Sequence, residues 1–243
     1  MNRTALVTGA GRGLGRTLAL HLALLGYDLI LTARTRTDLE ATAEKARELG
    51  AVALALPGDV ADPAHRVSLA RAAREAGGLD LLVNNASLLG PSPLPPLAQY
   101  PLAELEALLR VNLIAPLALV QAAVDALAAR GGLIVNISSD AALGGYPGWG
   151  GYGASKAALD LISLTLANEL RPRGVGVVSV DPGDLRTRMH QDAFPGEDIS
   201  DRPLPEVTLP FWTWLLSQAP LEVSGQRYRA QADTWELMPE VSA

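Results

Sequence analysis

Apolar positions gather in six short runs along the chain: Thr4–Val7, Asp28–Ala33, Ala51–Leu56, Leu79–Asn84, Leu133–Ser138 and Val175–Val180. Between the first five, most of the intervening segments shift to the spacing of amphipathic helices, so the pattern predicts βαβα repetition. Runs such as LDLLVNN and GGLIVNIS are nearly continuous in apolar residues. That composition suits strands covered by helices on both faces, as the crossovers of a parallel sheet require. The expected fold is therefore α/β, a doubly wound parallel sheet in three α/β/α layers.

Prolines concentrate in GPSPLPPLAQYP, Gly90 to Pro101, and again between Pro195 and Pro220, whereas the long pattern Leu102–Ala129 holds only Pro116. The two proline-rich stretches read as loops. They follow the fourth and sixth expected strands, which places both at the carboxyl edge where open α/β sheets bind ligands. With no repeat, linker or low-complexity tract, a single domain over residues 1–243 is the expectation. Its cofactor half would cover about 1–130 and its catalytic and substrate half about 131–243.

Bulk composition narrows the chemistry. Of 243 residues, 49% are hydrophobic and 19% charged, which fits a globular chain and excludes disorder. No run of uninterrupted apolar residues has the length of a membrane span, and no secretory pattern opens the chain, so a cytoplasmic protein is expected. The absence of cysteine removes disulfides, thiolate nucleophiles and the usual zinc sites. His21, His65 and His190 are scattered without ligand spacing, and no metal site is expected. A net charge of −6 without a basic cluster argues against nucleic acid as a partner.

The first run leads into TGAGRGLGRTLAL, Thr8 to Leu20. A strand, a glycine-rich turn and a helix start form an anion site, because free backbone N–H groups and the helix dipole converge on the turn. The spacing is neither that of a Walker A loop nor GxGxxG: Gly9, Gly13 and Gly15 give TGxxxGxG, with Gly11 additional.

This spacing resembles the cofactor turn of the short-chain dehydrogenase/reductase family, and the resemblance continues in order along nearly the whole chain. Asp59-Val60 is similar to the family's adenine-contacting pair, NNAS (Asn84 to Ser87) to its NNAG strand end, and Asn112 in VNLIAP to its helix asparagine. The serine of NISSD, the YGASK pair and DPGDLRT, similar to PGxxxT, follow in register. The resemblance implies a Rossmann-like fold and cofactor contacts from Gly9, Gly11, Arg12, Gly13, Leu14, Gly15, Asp59, Val60, Asn85, Ala86, Pro182, Gly183 and Thr187, together with Tyr152 and Lys156. It also implies a homodimer or homotetramer.

An NAD site would carry a carboxylate at the end of the second strand, roughly 20 residues past the glycines. Here the chain reads LTARTRT, with Ala33 followed by Arg34 and Arg36, and Arg12 lies within the turn itself. Guanidinium forks match a 2′-phosphate, so Arg34 with Arg12 points to NADP(H) over NAD(H).

Tyr152 and Lys156 are four residues apart, so on a helix they share one face. A phenol has an ordinary pKa near 10, and a neighbouring ammonium and the oxidised nicotinamide are both expected to favour its phenolate. Lysine is otherwise nearly absent: among twenty basic residues only Lys45 and Lys156 are lysines. Ser139 lies thirteen residues before Tyr152 and takes the place of the family's serine, with Ser138 its neighbour. The resemblance implies that Tyr152 transfers a proton, Ser139 holds the substrate oxygen, and Lys156 with Asn112, through a water, resupplies the proton. A small-molecule carbonyl or alcohol would be the substrate.

The match thins in places. Ser87 stands where the family has glycine. Asp181 and Asp184 bracket the expected nicotinamide segment, either to bind substrate or to cap the turn. Tyr146 and Trp149 in LGGYPGWGG are candidate pocket walls, and residues 188–205, with Phe194, occupy the place of a substrate lid. Trp212 and Trp214 should face different sides of a helix, at least one of them in core or subunit contact. The ending, SGQRYRAQADTWELMPEVSA, begins like the family's last strand and then departs from its usual glycine-rich close, which speaks against the family's usual tetramer contacts. The competing readings are a cofactor-sensing or structural protein that has lost catalysis, and an epimerase or dehydratase, which the short C-terminal region disfavours.

Overall fold

The computed structural model describes residues 2–237; residue 1 and the end of the C-terminal segment, 238–243, lie outside the described residues. Seven parallel strands form one sheet in the order β3-β2-β1-β4-β5-β6-β7, comprising β1 (Arg3–Thr8), β2 (Tyr27–Ala33), β3 (Ala53–Pro57), β4 (Leu81–Asn84), β5 (Leu133–Ile137), β6 (Gly176–Asp181) and β7 (Arg227–Arg229). The strand order reverses between β1 and β4, so the glycine turn after β1 and the NNAS segment after β4 open side by side at the crevice.

The pleat sorts alternate strand residues onto two cores. Ala5, Val7, Leu81, Val83, Val135 and Val180 face α1 (Gly13–Leu24), α2 (Arg36–Glu48) and α8 (Leu209–Leu215). Leu6, Leu82, Ile134 and Val177 face α3 (Pro63–Glu75), α5 (Ala115–Ala128) and α6 (Gly150–Leu170). Local sequence sets several helix starts. Asp62 caps α3, accepting the Ala64 N–H at 2.9 Å, with Pro63 in the first turn where its missing N–H costs nothing.

Leu102–Ala128 is long and apolar enough to cross a membrane by length and composition. In the fold it is a layer helix that buries Leu108, Leu119, Val120, Ala123 and Leu127. It is also interrupted, which the single long pattern did not show. α4 (Leu102–Leu109) gives way to a π-helical stretch, Arg110–Ile114, before α5 begins. Pro116 has no N–H to give the Asn112 carbonyl its α-helical bond, and the chain widens so that Ala115 N–H reaches Arg110 O.

The two tryptophans of α8 both join one aromatic cluster. Trp212 is fully buried, yet Trp212 and Trp214 both contact Phe211, with centroids 5.2 and 6.0 Å away, because Phe211 lies between them at the sheet end. Tyr228 and Trp235 complete the cluster.

Candidate active site

A cleft of about 1300 Å³ runs along the carboxyl edge of the sheet from the β2–α2 turn to α7 (Arg188–Ala193). Its cofactor end is built by close approach. Gly9 (φ +68°) and Gly13 (φ +52°) occupy the left-handed region, and a Cβ on Gly15 would stand 2.3 Å from Gly9 O. Asn85 holds the turn from the neighbouring strand: its Nδ2 donates to Thr8 O at 2.9 Å and Gly9 O at 3.3 Å. Thr8 Oγ1 in turn accepts from the N–H groups of Asn85 and Ala86 at 2.9 and 3.0 Å. The side chain of Asn85 therefore shapes the cradle.

Arg12, the N-cap of α1, makes no side-chain cap bond, so the first amides of the helix stay available to an anion. Leu14, Asp59, Val60, Ala86, Pro182, Gly183 and Thr187 line the same cleft. Thr187 caps α7, and its Cγ2 would lie 3.4 Å from a Cβ on Gly13, so the PGxxxT segment closes over the glycine turn. Arg12 and Arg34 are exposed on the cleft wall; Arg36 falls in the first turn of α2, off it. Asp38, which the sequence reading passed over, also faces the cleft, its Cβ 3.2 Å from where Gly11 would carry one. A cradle without Cβ atoms, a helix start with free amides and an adjacent cationic wall fit a dinucleotide.

At the other end α6 presses its glycines against neighbours: a Cβ on Gly153 would meet Ala141 O at 2.4 Å. This approach brings Tyr152 beside Ser139. Ser139 Oγ accepts from Ala141 N–H at 3.2 Å and donates to Asp140 Oδ1 at 3.0 Å. Lys156, one turn on, is buried and donates to Ile137 O at 2.7 Å, with Nζ 5.5 Å from the Tyr152 ring centroid.

Burial sets the direction at both members of the pair. Burial pushes the Tyr152 phenol up to about 12, against hydroxyls of Ser87 and Ser139 that pull it down, while the Asp181 and Asp140 charges add to the rise. Burial also brings the Lys156 ammonium down to about 8, opposed by Asp160. Desolvation favours the neutral form of both groups and is the largest cause at each.

Asn112 lies behind the cleft wall, fully buried. Its Oδ1 accepts from Leu88 N–H at 2.8 Å and Ser87 Oγ at 3.2 Å, and its Nδ2 donates to Leu88 O at 2.8 Å and Ser155 Oγ at 3.0 Å. With its amide thus committed, the side chain ties the NNAS loop to α6. Ser87 links Asn112 to Tyr152, a contact its place in NNAS did not reveal. Sequence reading also passed over a buried ladder under the site. Asn84 Nδ2 donates to Asn136 Oδ1 at 2.8 Å, and Asn136 Nδ2 donates to Ser163 Oγ at 2.7 Å. It pins the Asn84↔Asn136 register of β4 and β5 beneath α6.

Ser138 Oγ, by contrast, is buried with no partner among the described residues. Asp181 takes the capping role: one oxygen accepts Gly183 N–H at 3.0 Å and the other faces Arg227. Asp184 pairs with Arg202 at 3.7 Å. Trp149 stands edge-on to Tyr152, centroids 5.8 Å apart, and also touches Phe194. Tyr146 stays half exposed. Ser92 Oγ donates to Asp192 O, so the first proline-rich loop meets α7 at the cleft.

A doubly wound sheet with a dinucleotide cradle and a Ser, Tyr and Lys cluster at one crevice defines a nicotinamide-dependent oxidoreductase. The chain matches the family model for short chain dehydrogenase over residues 3–198 and belongs to the short-chain dehydrogenase/reductase family, oxidoreductases acting on CH–OH groups with NAD(P). It is 32% identical over 212 residues to the 3-oxoacyl-[acyl-carrier-protein] reductase FabG of Staphylococcus aureus, covering 86% of this chain and 84% of that one. To the short chain dehydrogenase asqE of Emericella nidulans it is 37% identical over 174 residues, 69% of this chain and 64% of that protein's length. Among solved structures, a short chain dehydrogenase from Shigella flexneri complexed with NADP superposes with a TM-score of 0.88 at 30% identity, covering 95% and 97% of the two chains.

Proposed function

We propose that the protein is an NADP(H)-dependent carbonyl reductase or alcohol dehydrogenase in which Tyr152 is the general acid and base. The observation that carries this reading is the cluster of Ser139, Tyr152 and Lys156 at one end of a cleft whose other end is the glycine cradle. The nicotinamide supplies or accepts the hydride when bound. Gly9 to Gly15, Asp59, Val60, Ala86 and Thr187 would hold the dinucleotide, and Arg12 and Arg34 would take a 2′-phosphate.

The chain's own groups then act on the oxygen. A phenol pushed up to about 12 is fully protonated at neutral pH, so Tyr152 is ready to protonate a carbonyl oxygen while Ser139 donates to the same atom. Lys156 replaces the lost proton. Asn112 acts by holding the Ser87–Leu88 loop and α6 together, and its neighbourhood in the π-helical stretch is where a proton-carrying water would sit. Trp149 and Phe194 supply an apolar wall, which favours ketones with an aromatic or aliphatic group beside the carbonyl.

NADPH oxidation with a panel of ketones and quinones tests this. Turnover with several of them is expected; tight NADPH binding without any turnover would favour a cofactor sensor instead. The pH dependence has a defined sign. Lys156 is brought down to about 8, so reduction should be flat below that pH and fall about tenfold per unit above it as the ammonium is lost. Initial rates of ketone reduction between pH 6 and about 10 measure the limb; a flat profile throughout removes Lys156 from proton resupply.

A further inference from the structure

We infer that Arg227, on the last strand, is a positioning residue for the reaction, a single guanidinium that ties together the three segments carrying Ser139, Lys156 and the Pro182–Gly183 turn. This inference rests on the catalytic reading above. Arg227 Nε donates to Asp160 Oδ2 at 3.0 Å, and its Nη2 donates to Ser139 O at 2.8 Å and lies 3.5 Å from Asp181 Oδ2. The register makes this reach possible. Arg227 pairs with Ser179 of β6, so it stands on the face that Ser179 and Asp181 share, the one covered by α6.

Each partner is one step from the chemistry. Asp160 follows Lys156 by four residues on the same helix face. The main-chain carbonyl of Ser139 fixes the start of the turn that aims its hydroxyl. Asp181 precedes Pro182, and its second oxygen holds the Gly183 N–H at 3.0 Å. The cluster is largely closed: side-chain exposure is 23% for Arg227, 16% for Asp160 and 4% for Asp181. Two carboxylates at that depth need a shared cation, and the planar fork of arginine meets both together with a carbonyl. Surface position would not call for such a fork.

The arrangement also couples to the amine. Around the Lys156 end of the cleft the charged and titratable groups are Tyr152 and Asp160 on α6, Asp140 after β5, Asp181 ending β6 and Arg227 on β7. Asp160 raises the Lys156 pKa against burial, and Arg227 spends part of that negative charge. Removing Arg227 leaves Asp160 acting on Lys156 unopposed. Removing the Asp160 charge does the reverse.

The test uses purified protein, NADPH and the best ketone from the panel, with Arg227→Gln, Arg227→Lys and Asp160→Asn. Arg227→Gln is expected to lower kcat by about 10- to 100-fold, the scale of a misplaced reacting group, with KM for the ketone little changed. Arg227→Lys, which keeps the charge and loses the fork, should recover part of that loss. The high-pH limb of kcat should move up in Arg227→Gln and down in Asp160→Asn. Opposite movements are something a merely structural residue would not produce. If Arg227→Gln does not fold, Arg227→Lys and Asp160→Asn carry the same comparison. Folded variants with the parent kcat and an unmoved limb overturn the inference. Failure of the catalytic reading looks different: the parent protein itself would then show no turnover that depends on Tyr152.

Discussion

Tyr152→Phe is expected to lose turnover by about 1000-fold or more, the upper range for removing a positioned general acid, while NADPH binding is retained. The substitution deletes one hydroxyl and little else. The ring keeps its edge contact with Trp149, and α6 keeps its approach to Ala141 through Gly153. No group nearby can replace the phenol: the Ser139 hydroxyl turns from Asp140 to the substrate oxygen as a hydrogen-bond donor, Ser87 donates to Asn112, and Lys156 is tied to Ile137 O. A factor of 1000 is about 4 kcal/mol of barrier, so the loss should appear in kcat at saturating ketone. Ser139→Ala removes one oxyanion donor and should cost about 100-fold. Steady-state rates for both variants, with NADPH affinity from fluorescence titration, decide the assignment. A Tyr152→Phe variant within about tenfold of the parent would refute the general-acid role.

What made this site readable in advance was local spacing. The glycine turn, the i, i+4 pair and the serine thirteen residues upstream sit on elements whose periods place them together. The groups that escaped reading act across long sequence separations. Asn136 meets Ser163 across 27 residues, and Arg227 meets Asp181, Asp160 and Ser139 across 46, 67 and 88. Those contacts depend on strand register and on which face of a short edge strand carries the arginine, and a run of three residues such as Arg227–Arg229 has no pattern that announces either.

Asn112 is intermediate. Its place in the helix was legible, but the commitment of its amide to Leu88, Ser87 and Ser155 depends on how the π-helical stretch turns it. Pro116 was the available clue, since a proline inside a helical pattern frees the carbonyl four residues earlier. The rise that burial gives the Tyr152 pKa lay outside the reach of the sequence for a related reason. Charge proximity can be read from spacing, whereas burial, which dominates here, is a property of the assembled cleft.

Arg34→Asp is expected to reverse cofactor preference, lowering kcat/KM for NADPH by about 100-fold or more while leaving NADH use unchanged or improved. The wild-type wall carries two guanidinium groups, Arg12 and Arg34, with no ion-pair partner among the described residues, so both are available to a 2′-phosphate. A hydrogen bond to a charged group is worth about 1.5–3 kcal/mol, and placing a carboxylate against phosphate adds repulsion; two to three factors of ten follow. Asp38 sharpens the comparison. It already puts one carboxylate on this wall beside Gly11, so the preference turns on whether the arginines or Asp38 meet the ribose. Where the arginines do, Arg34→Asp hands the ribose hydroxyl two acceptors and NADH gains; where Asp38 does, the parent protein already uses NADH as well as NADPH and the substitution changes little. Parallel kcat/KM values for the two cofactors in the parent and the variant separate these cases, and equal values in both would remove NADP(H) as the preferred cofactor.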